Sequence, residues 1–367
     1  MDFNLTKEQE LLRDGLAKFL DTRYDLATSR TAAKTGPGWQ PDIWRSFADE
    51  LGILGATFDE EVGGIGGGAE ELMVITDALG HALVVEPYVS TVVVSGGLLQ
   101  RAGGSKATQL LEQIASGTAV VALASHDEGE PATAERDGDA WVINGSKPVV
   151  LDAPLATHLL ITARTPDGLG LFLTEFDAAS PASGLSVQSY RTIDDRRAAD
   201  LVFSGLRLPA DALLSGDAEG SLARALDEGA AAVASEAVGC MRKVLTDTVE
   251  YSKQRQQFGQ PIGSFQALQH RMVDMYMELE QSVAAVFLAI LNLDAEPEVR
   301  SRAVSAAKAT IGRAARFIGQ NAVQLHGGMG MTEELAIGHY FKRLTAVQYE
   351  FGTTDYHITR YAELTKP

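Results

Sequence analysis

Apolar residues recur at Leu268, Met272, Met275, Leu279, Val283, Val286 and Ile290, a spacing of three and four residues kept up over many turns. Only a helix, which repeats about every 3.6 residues, lines such positions up on one face. A second stripe follows at Val304, Ile311, Ile318 and Leu325 and is ended by Gly327-Gly328. Two long helices with one apolar face each need partners, so the stretch 216–367 is expected to be a helical bundle of four helices. Alanine is abundant there, which lets helices approach closely.

The middle of the chain breaks this period. From about Thr118, short β-branched segments (Ala119–Leu123, Trp141–Ile143, Leu159–Thr162, Leu169–Leu173) alternate with Gly, Asp and Pro turns. Asn144-Gly145, after Trp-Val-Ile, is a hairpin signal, and Leu201, Phe203 and Leu206 read as the last strand before Pro209. Residues 118–215 are therefore expected to form an antiparallel β-barrel or sandwich. Residues 1–117 read as helical. Leu12, Leu16, Phe19 and Leu20 share a face behind a Thr6/Gln9 capping box. Ile43, Trp44, Phe47 and Leu51 resume the pattern after Gly36-Pro37-Gly38. The glycine run from Gly63 to Gly68 precedes a helix expected from about Ala69 to Leu83. No strand leads into it, so it reads as a plain loop and not as a phosphate cradle. The fold class is α+β, mostly α, in the order helices, strands, helices.

Charge narrows the function. With 49 acidic against 31 basic residues, the net charge is -18, which excludes a broad nucleic-acid surface. No basic segment leads into an apolar one at the N-terminus, and no apolar run reaches the length of about 20 residues that spans a bilayer. A cytoplasmic protein without membrane contact is expected. The one cysteine, Cys240, lies in an Ala/Val-rich helical stretch and reads as a small core residue. His126, His158, His326, His339 and His357 are scattered without ligand spacing, so no metal is expected. His326, beside the glycine pair, reads more readily as structural than as a ligand contact.

The most specific run is Tyr251-Ser-Lys-Gln-Arg255-Gln-Gln-Phe258-Gly259-Gln-Pro261-Ile262-Gly-Ser-Phe265-Gln266. One helix should end near Arg255 and the next begin near Ser264. An arginine at such a break can pair with a pyrophosphate, Phe258 can lie against a flat ring, and Gln266 offers amide groups. Taken alone, a helix-turn-helix with one arginine is more often structural.

The wider context resembles the acyl-CoA dehydrogenase family along essentially the whole chain. The resemblance rests on Phe3-Asn-Leu-Thr6-Lys-Glu8-Gln9, Leu51-Gly52-Ile53-Leu54-Gly55 with Gly63-Gly64, and Trp141-Val-Ile-Asn144-Gly145-Ser-Lys147. It continues in the run around Arg255, in Gln324-Leu-His326-Gly327-Gly328-Met-Gly330 and in Phe351-Gly352-Thr353-Thr354-Asp355. Within the family, the closing pattern with His339-Tyr-Phe-Lys342-Arg-Leu is most similar to the small subunit of pimeloyl-CoA dehydrogenase. Related small subunits belong to heteromeric dehydrogenases acting on steroid side chains.

The resemblance implies an FAD-dependent oxidoreductase acting on acyl-CoA, with electron-transfer flavoprotein as acceptor, in a homo- or hetero-oligomer such as a dimer of dimers. A carboxylate would take the α-proton while the β-hydride passes to the flavin. Carried over residue by residue, Arg255, Phe258, Gln266, Gln324, Gly327 and Gly328 would contact an FAD held mainly by a neighbouring subunit. Arg255 would meet the pyrophosphate, and Gln324 with the glycine pair the adenosine end. Thr353, Asp355 and Ser125 would touch the FAD of the chain itself.

Three departures stand out. The family's commonest base position, before Gly-Thr, is Phe351 here, with Glu350 one residue earlier as the displaced candidate. The alternative base position aligns with Gly229, beside Glu228, and Glu236 is a further acid in an apolar helical setting. In the β region the family's Gly-Ser turn is missing from Ala124-Ser125-His126-Asp127-Glu128-Gly129-Glu130. There Ser125 stands in for a threonine hydroxyl. Val149-Val150-Leu151 replaces the stretch that covers the flavin, and Leu151 has no hydrogen-bonding group to offer. Three readings follow: a self-sufficient dehydrogenase with a displaced base, a base-lacking subunit completing a partner's FAD site, or an oxidase or monooxygenase on the same fold.

Overall fold

The computed structural model describes residues 5–366, so Phe3 and Asn4 of the opening motif lie outside it. Six helices come first: α1 (Lys7–Arg23), α2 (Leu26–Thr35), α3 (Pro41–Asp49), α4 (Ala69–His81), α5 (Gly96–Ala102) and α6 (Gly104–Ala115). Eight strands follow: β1 (Val121–Ala124), β2 (Thr133–Asp137), β3 (Ala140–Leu151), β4 (His158–Thr165), β5 (Gly168–Glu175), β6 (Leu185–Arg191), β7 (Arg197–Pro209) and β8 (Leu213–Ser215). The chain closes with α7 (Glu219–Gln254), α8 (Gln266–Ile290), α9 (Pro297–His326), α10 (Ala336–Ala346) and α11 (Thr354–Leu364). Helices, strands and helices follow in the expected order, and no described helix is long and apolar enough to cross a membrane.

The chain divides into two compact units. The first gathers the residues up to Thr28, the stretch Ala69–Val84 and everything from Ala230 onward. Its core is the meeting of the two predicted stripes: Met275, Leu279, Val286 and Ile290 of α8 with Val304, Ile311 and Ile318 of α9, all buried. Helix α1 starts where the capping box requires. The Thr6 hydroxyl accepts the Gln9 N–H at 3.2 Å, and the Gln9 side chain accepts the Thr6 N–H at 2.9 Å. Helices α4 and α7 meet through reciprocal glycines. A Cβ on Gly80 would stand 1.9 Å from the Glu236 carbonyl oxygen, and one on Gly239 1.9 Å from that of Asp77. Only glycine permits that approach. It also brings the Cys240 thiol within 3.1 Å of the Gly80 carbonyl, so the lone cysteine is a buried core residue.

The second unit holds Ser29–Gly68 and Val85–Gly229. Its sheet runs β6-β7-β3-β2-β4-β5-β8, with β1 beside β4. Pairings are antiparallel except those of β1 and β2 with β4. Trp141 of β3 packs edge-on against Phe172 of β5, ring centroids 5.4 Å apart.

One strand expectation needs correction. Asn144-Gly145 is not a turn: β3 continues to Leu151, and the reversal lies before it, where Gly138 takes φ +60°. Asn144 sits at a register shift against β7 and accepts the Gly205 N–H at 2.8 Å. A Cβ on Gly145 would meet Ala132 at 2.7 Å, so this glycine serves close strand approach and not reversal. The segment through Leu206 is β7, the last strand before Pro209 as expected, and the short β8 beyond it pairs with β5.

Candidate functional site

In the first unit, α7 ends at Gln254 and the chain turns back on itself. Gln256 and Gln257 pair with Pro261 and Gln260, and Phe258 and Gly259 form the tip at φ +54° and +80°. Two left-handed residues in succession are the signature of a tight hairpin whose twist matches its strands. Phenylalanine bears a steric cost there that glycine does not. The Phe258 ring gains little within the chain in return. Phe258 is 92% exposed, and its ring meets that of Phe265 edge-on, centroids 6.2 Å apart.

Arg255, at the base of this hairpin, has its backbone fixed. Its N–H donates to Tyr251 and its carbonyl accepts from Ile262, both at 2.8 Å. Its guanidinium is exposed and meets no described partner. Gln266 is the exposed first residue of α8, and Gln324 is exposed in the last turn of α9. Beyond it, Gly327 turns at φ +59°. Cβ atoms added to Gly327 or Gly328 would meet nothing within 4 Å. His326 joins the two motifs: its ring stacks on Tyr251 at 4.3 Å and its Nδ1 lies 2.8 Å from the Ala322 carbonyl. Within the chain these contacts give the histidine a structural role. Thr353 caps α11, accepting the Tyr356 N–H at 3.1 Å, with Asp355 exposed in the first turn.

The loop after α10 is built in the opposite way. Arg343, 2% exposed, donates from Nε and Nη2 to the two carboxylate oxygens of Glu236, each at 2.8 Å. It also donates to both oxygens of Glu350, from Nη1 and, at 3.0 Å, from Nη2. Beneath them the buried ammonium of Lys308 donates to the Val347 carbonyl at 2.7 Å and the Gly352 carbonyl at 3.3 Å. Burial pulls the Lys308 pKa down to about 8, against the attraction of Glu350. Phe351, at φ +55°, packs against the core while its carbonyl lies 2.9 Å from His357 Nε2. Sequence reasoning named both glutamates but missed Arg343 and Lys308.

The second unit repeats the theme. Glu228 takes Arg101 Nη1 at 3.0 Å and Arg224 Nε at 2.8 Å on the same oxygen. Ser125 is held by its carbonyl, which accepts from Lys147 at 3.2 Å, and its hydroxyl has no described partner. The Lys147 ammonium also binds Asp127 at 2.6 Å, and Asp127 accepts the Ala132 N–H at 3.0 Å. That pair closes the loop that lacks the expected Gly-Ser turn. Burial lowers the Lys147 pKa, opposed by Asp127. Val149 stands at φ +52° in a bulge, its N–H on Asp200 at 2.9 Å, and Leu151 contributes no polar side-chain group.

An exposed arginine without a described partner, an aromatic held out on a strained tip and open glycine backbone are groups that can receive a flat, phosphate-bearing molecule. The sequence agrees. The description "Acyl-CoA dehydrogenase, N-terminal domain" matches residues 6–118, and "Acyl-CoA dehydrogenase, C-terminal domain" matches residues 220–364.

The chain belongs to the acyl-CoA dehydrogenase family.

The acyl-CoA dehydrogenase IpdE2 of Mycolicibacterium smegmatis is 31% identical over 340 residues, covering 92% of this chain and 93% of that protein. Among solved structures, the Tcur3481-Tcur3483 steroid ACAD matches with a TM-score of 0.88 at 27% identity, over 98% of this chain and 97% of that one. Butyryl-CoA dehydrogenase from Megasphaera elsdenii shares the fold, with a TM-score of 0.86 at 24% identity over 98% of this chain and 99% of its own. The cofactor is FAD, and the activity class is FAD-dependent acyl-CoA dehydrogenation.

Proposed function

We propose that this chain is the base-lacking small subunit of a heteromeric acyl-CoA dehydrogenase and completes the FAD site of a catalytic partner. The observation that carries the reading is the buried Glu236–Arg343–Glu350 triad beside Phe351. A general base must present an unpaired carboxylate to the substrate proton. Here Phe351 occupies the usual position, and both oxygens of Glu350 and of Glu236 are bound by one arginine. Glu228, next to Gly229, is paired as well.

FAD, when bound, supplies the hydride acceptor. Toward it, Arg255 would offer charge to the pyrophosphate and Phe258 a ring face. Gln266 would offer its amide, and Gln324 with Gly327 and Gly328 an adenosine seat. Thr353, Asp355 and Ser125 would serve the chain's own half-site. The two-component name of the Tcur3481-Tcur3483 steroid ACAD supports the heteromeric reading and favours a steroid side-chain CoA thioester over a dicarboxylyl-CoA. Electron-transfer flavoprotein is the acceptor that fits the family.

A visible spectrum of the purified chain, alone and co-expressed with a base-bearing partner, tests the proposal. A colourless chain that gains flavin absorbance and turnover only with the partner is expected. Flavin bound to the chain alone that bleaches on adding an acyl-CoA would overturn it.

A further inference from the structure

The first unit contains a cavity of about 730 Å³ walled by α1, α4, α7, α8 and α10, in a size class that takes small organic ligands. Its floor is apolar, formed by Leu20, Met73, Val238, Val286, Phe287 and Tyr340. Small side chains at Ala17, Ala78 and Ala336 leave the space open. The helices cannot slide together to fill it, because α4 and α7 already touch backbone to backbone at Gly80 and Gly239. Arg13, Asp21 and Arg242 of its lining are exposed, so the cavity opens to solvent.

One stretch of the wall is charged. Arg13, Arg242 and Lys243 stand there with Asp21 and Asp77. The cations are not equally committed. Lys243 is held by both oxygens of Asp247 at 2.5 and 2.7 Å, and Arg13 by Asp14 at 3.0 Å. Arg242 makes one bond, from Nη2 to Asp77 at 3.1 Å, and its remaining donors meet no described residue. His81, also in the wall, has its pKa lowered by burial, and burial raises that of Asp77 against the pull of Arg242. An apolar floor beside an arginine with unspent donors selects a molecule that is apolar along its length and anionic at one end.

We propose that this cavity binds a single-chain carboxylate amphiphile, with its carboxylate on Arg242 and its chain against the α7–α8 floor. None of the residues assigned toward FAD lines this cavity, so the site is additional to the flavin-facing edge and independent of the subunit proposal.

Calorimetric titration of the purified protein, in whatever assembly it forms, with decanoate and with uncharged decanol tests this. Decanoate is expected to saturate one site per chain, undisplaced by saturating hexanoyl-CoA. Arg242→Gln should weaken decanoate about tenfold while leaving decanol unchanged. Val283→Trp, which fills the cavity, should abolish both. If that variant does not fold, Ala336→Leu narrows the same space and should weaken both several-fold. Unsaturable uptake, displacement by hexanoyl-CoA, equal loss of decanol in Arg242→Gln, or full binding in a folded cavity-filling variant would each overturn the proposal.

Discussion

The hairpin after α7 and the loop after α10 each place a phenylalanine in left-handed backbone, Phe258 at φ +54° and Phe351 at φ +55°. Around Phe351 the structure is over-determined. Arg343 grips Glu350, Lys308 holds the carbonyls of Val347 and Gly352, and His357 reaches that of Phe351. Around Phe258 almost nothing is held: the ring is exposed and the Arg255 guanidinium is free of described partners. Backbone strain persists only where something outweighs it. In the loop the compensation is internal. At the hairpin no such compensation is present among the described residues, and on the proposed reading it comes from the bound cofactor. One region is finished, and the other is, on that reading, half of a site.

The largest effect that sharpens this contrast is Arg343→Met. It leaves the carboxylates of Glu236 and Glu350 buried without the guanidinium that binds them both, which costs about 3–5 kcal/mol. Chemical denaturation should show that loss. A change under about 1 kcal/mol would mean the triad is wet and the loop not locked.

Next comes pH. Lys308 titrates near 8 in the folded chain against 10.5 for a free lysine. Between those values the unfolded chain holds a proton that the native chain has released, so this group makes stability rise with pH across that window and is a cost below it. Lys308→Met removes the slope. The stability of the parent relative to the variant should therefore grow by on the order of 2 to 3 kcal/mol from pH 8 to pH 10. A constant gap would show that Lys308 is hydrated.

At the hairpin, effects should fall on binding and leave stability alone. Arg255→Ala should weaken FAD binding in the assembled enzyme about 10- to 100-fold, the range of a lost charge-assisted contact. The unfolding midpoint of the isolated chain should move by less than about 0.5 kcal/mol equivalent. Full flavin retention would remove Arg255 from the cofactor site. A large loss of intrinsic stability would make the hairpin structural after all.

How far the sequence revealed these regions depends on range. The stripes of α8 and α9 were legible because helical period is local, and the Thr6/Gln9 cap because its partners are three residues apart. Asn144-Gly145 was misread for the same reason. The dipeptide favours a turn locally, but β3 is paired along both edges, with β2 and β7, and those long-range bonds decide. The residues proposed to face the flavin were legible only through resemblance, since an exposed arginine carries no signal of its own. The lock was not legible, because Glu236 and Arg343 are 107 residues apart. Lys308 did leave a trace. It lies between Val304 and Ile311 at helical spacing, on the face that the apolar stripe marks as buried. A lysine there must find partners, and it finds two carbonyls.

The smallest expected effect is the most discriminating. Glu350→Gln keeps the shape and one acceptor for Arg343 while removing the charge, so it should cost about 1–2 kcal/mol of stability. Turnover by the assembled enzyme should change by less than about twofold, because a carboxylate already spent on Arg343 contributes no proton transfer. Loss of a general base costs about 10²–10⁴-fold, so the two outcomes cannot be confused. A drop of that size with folding and flavin content intact would mean that the loop opens in the working enzyme. The finished region would then be the catalytic one, and the contrast with the hairpin would fail at its strongest point.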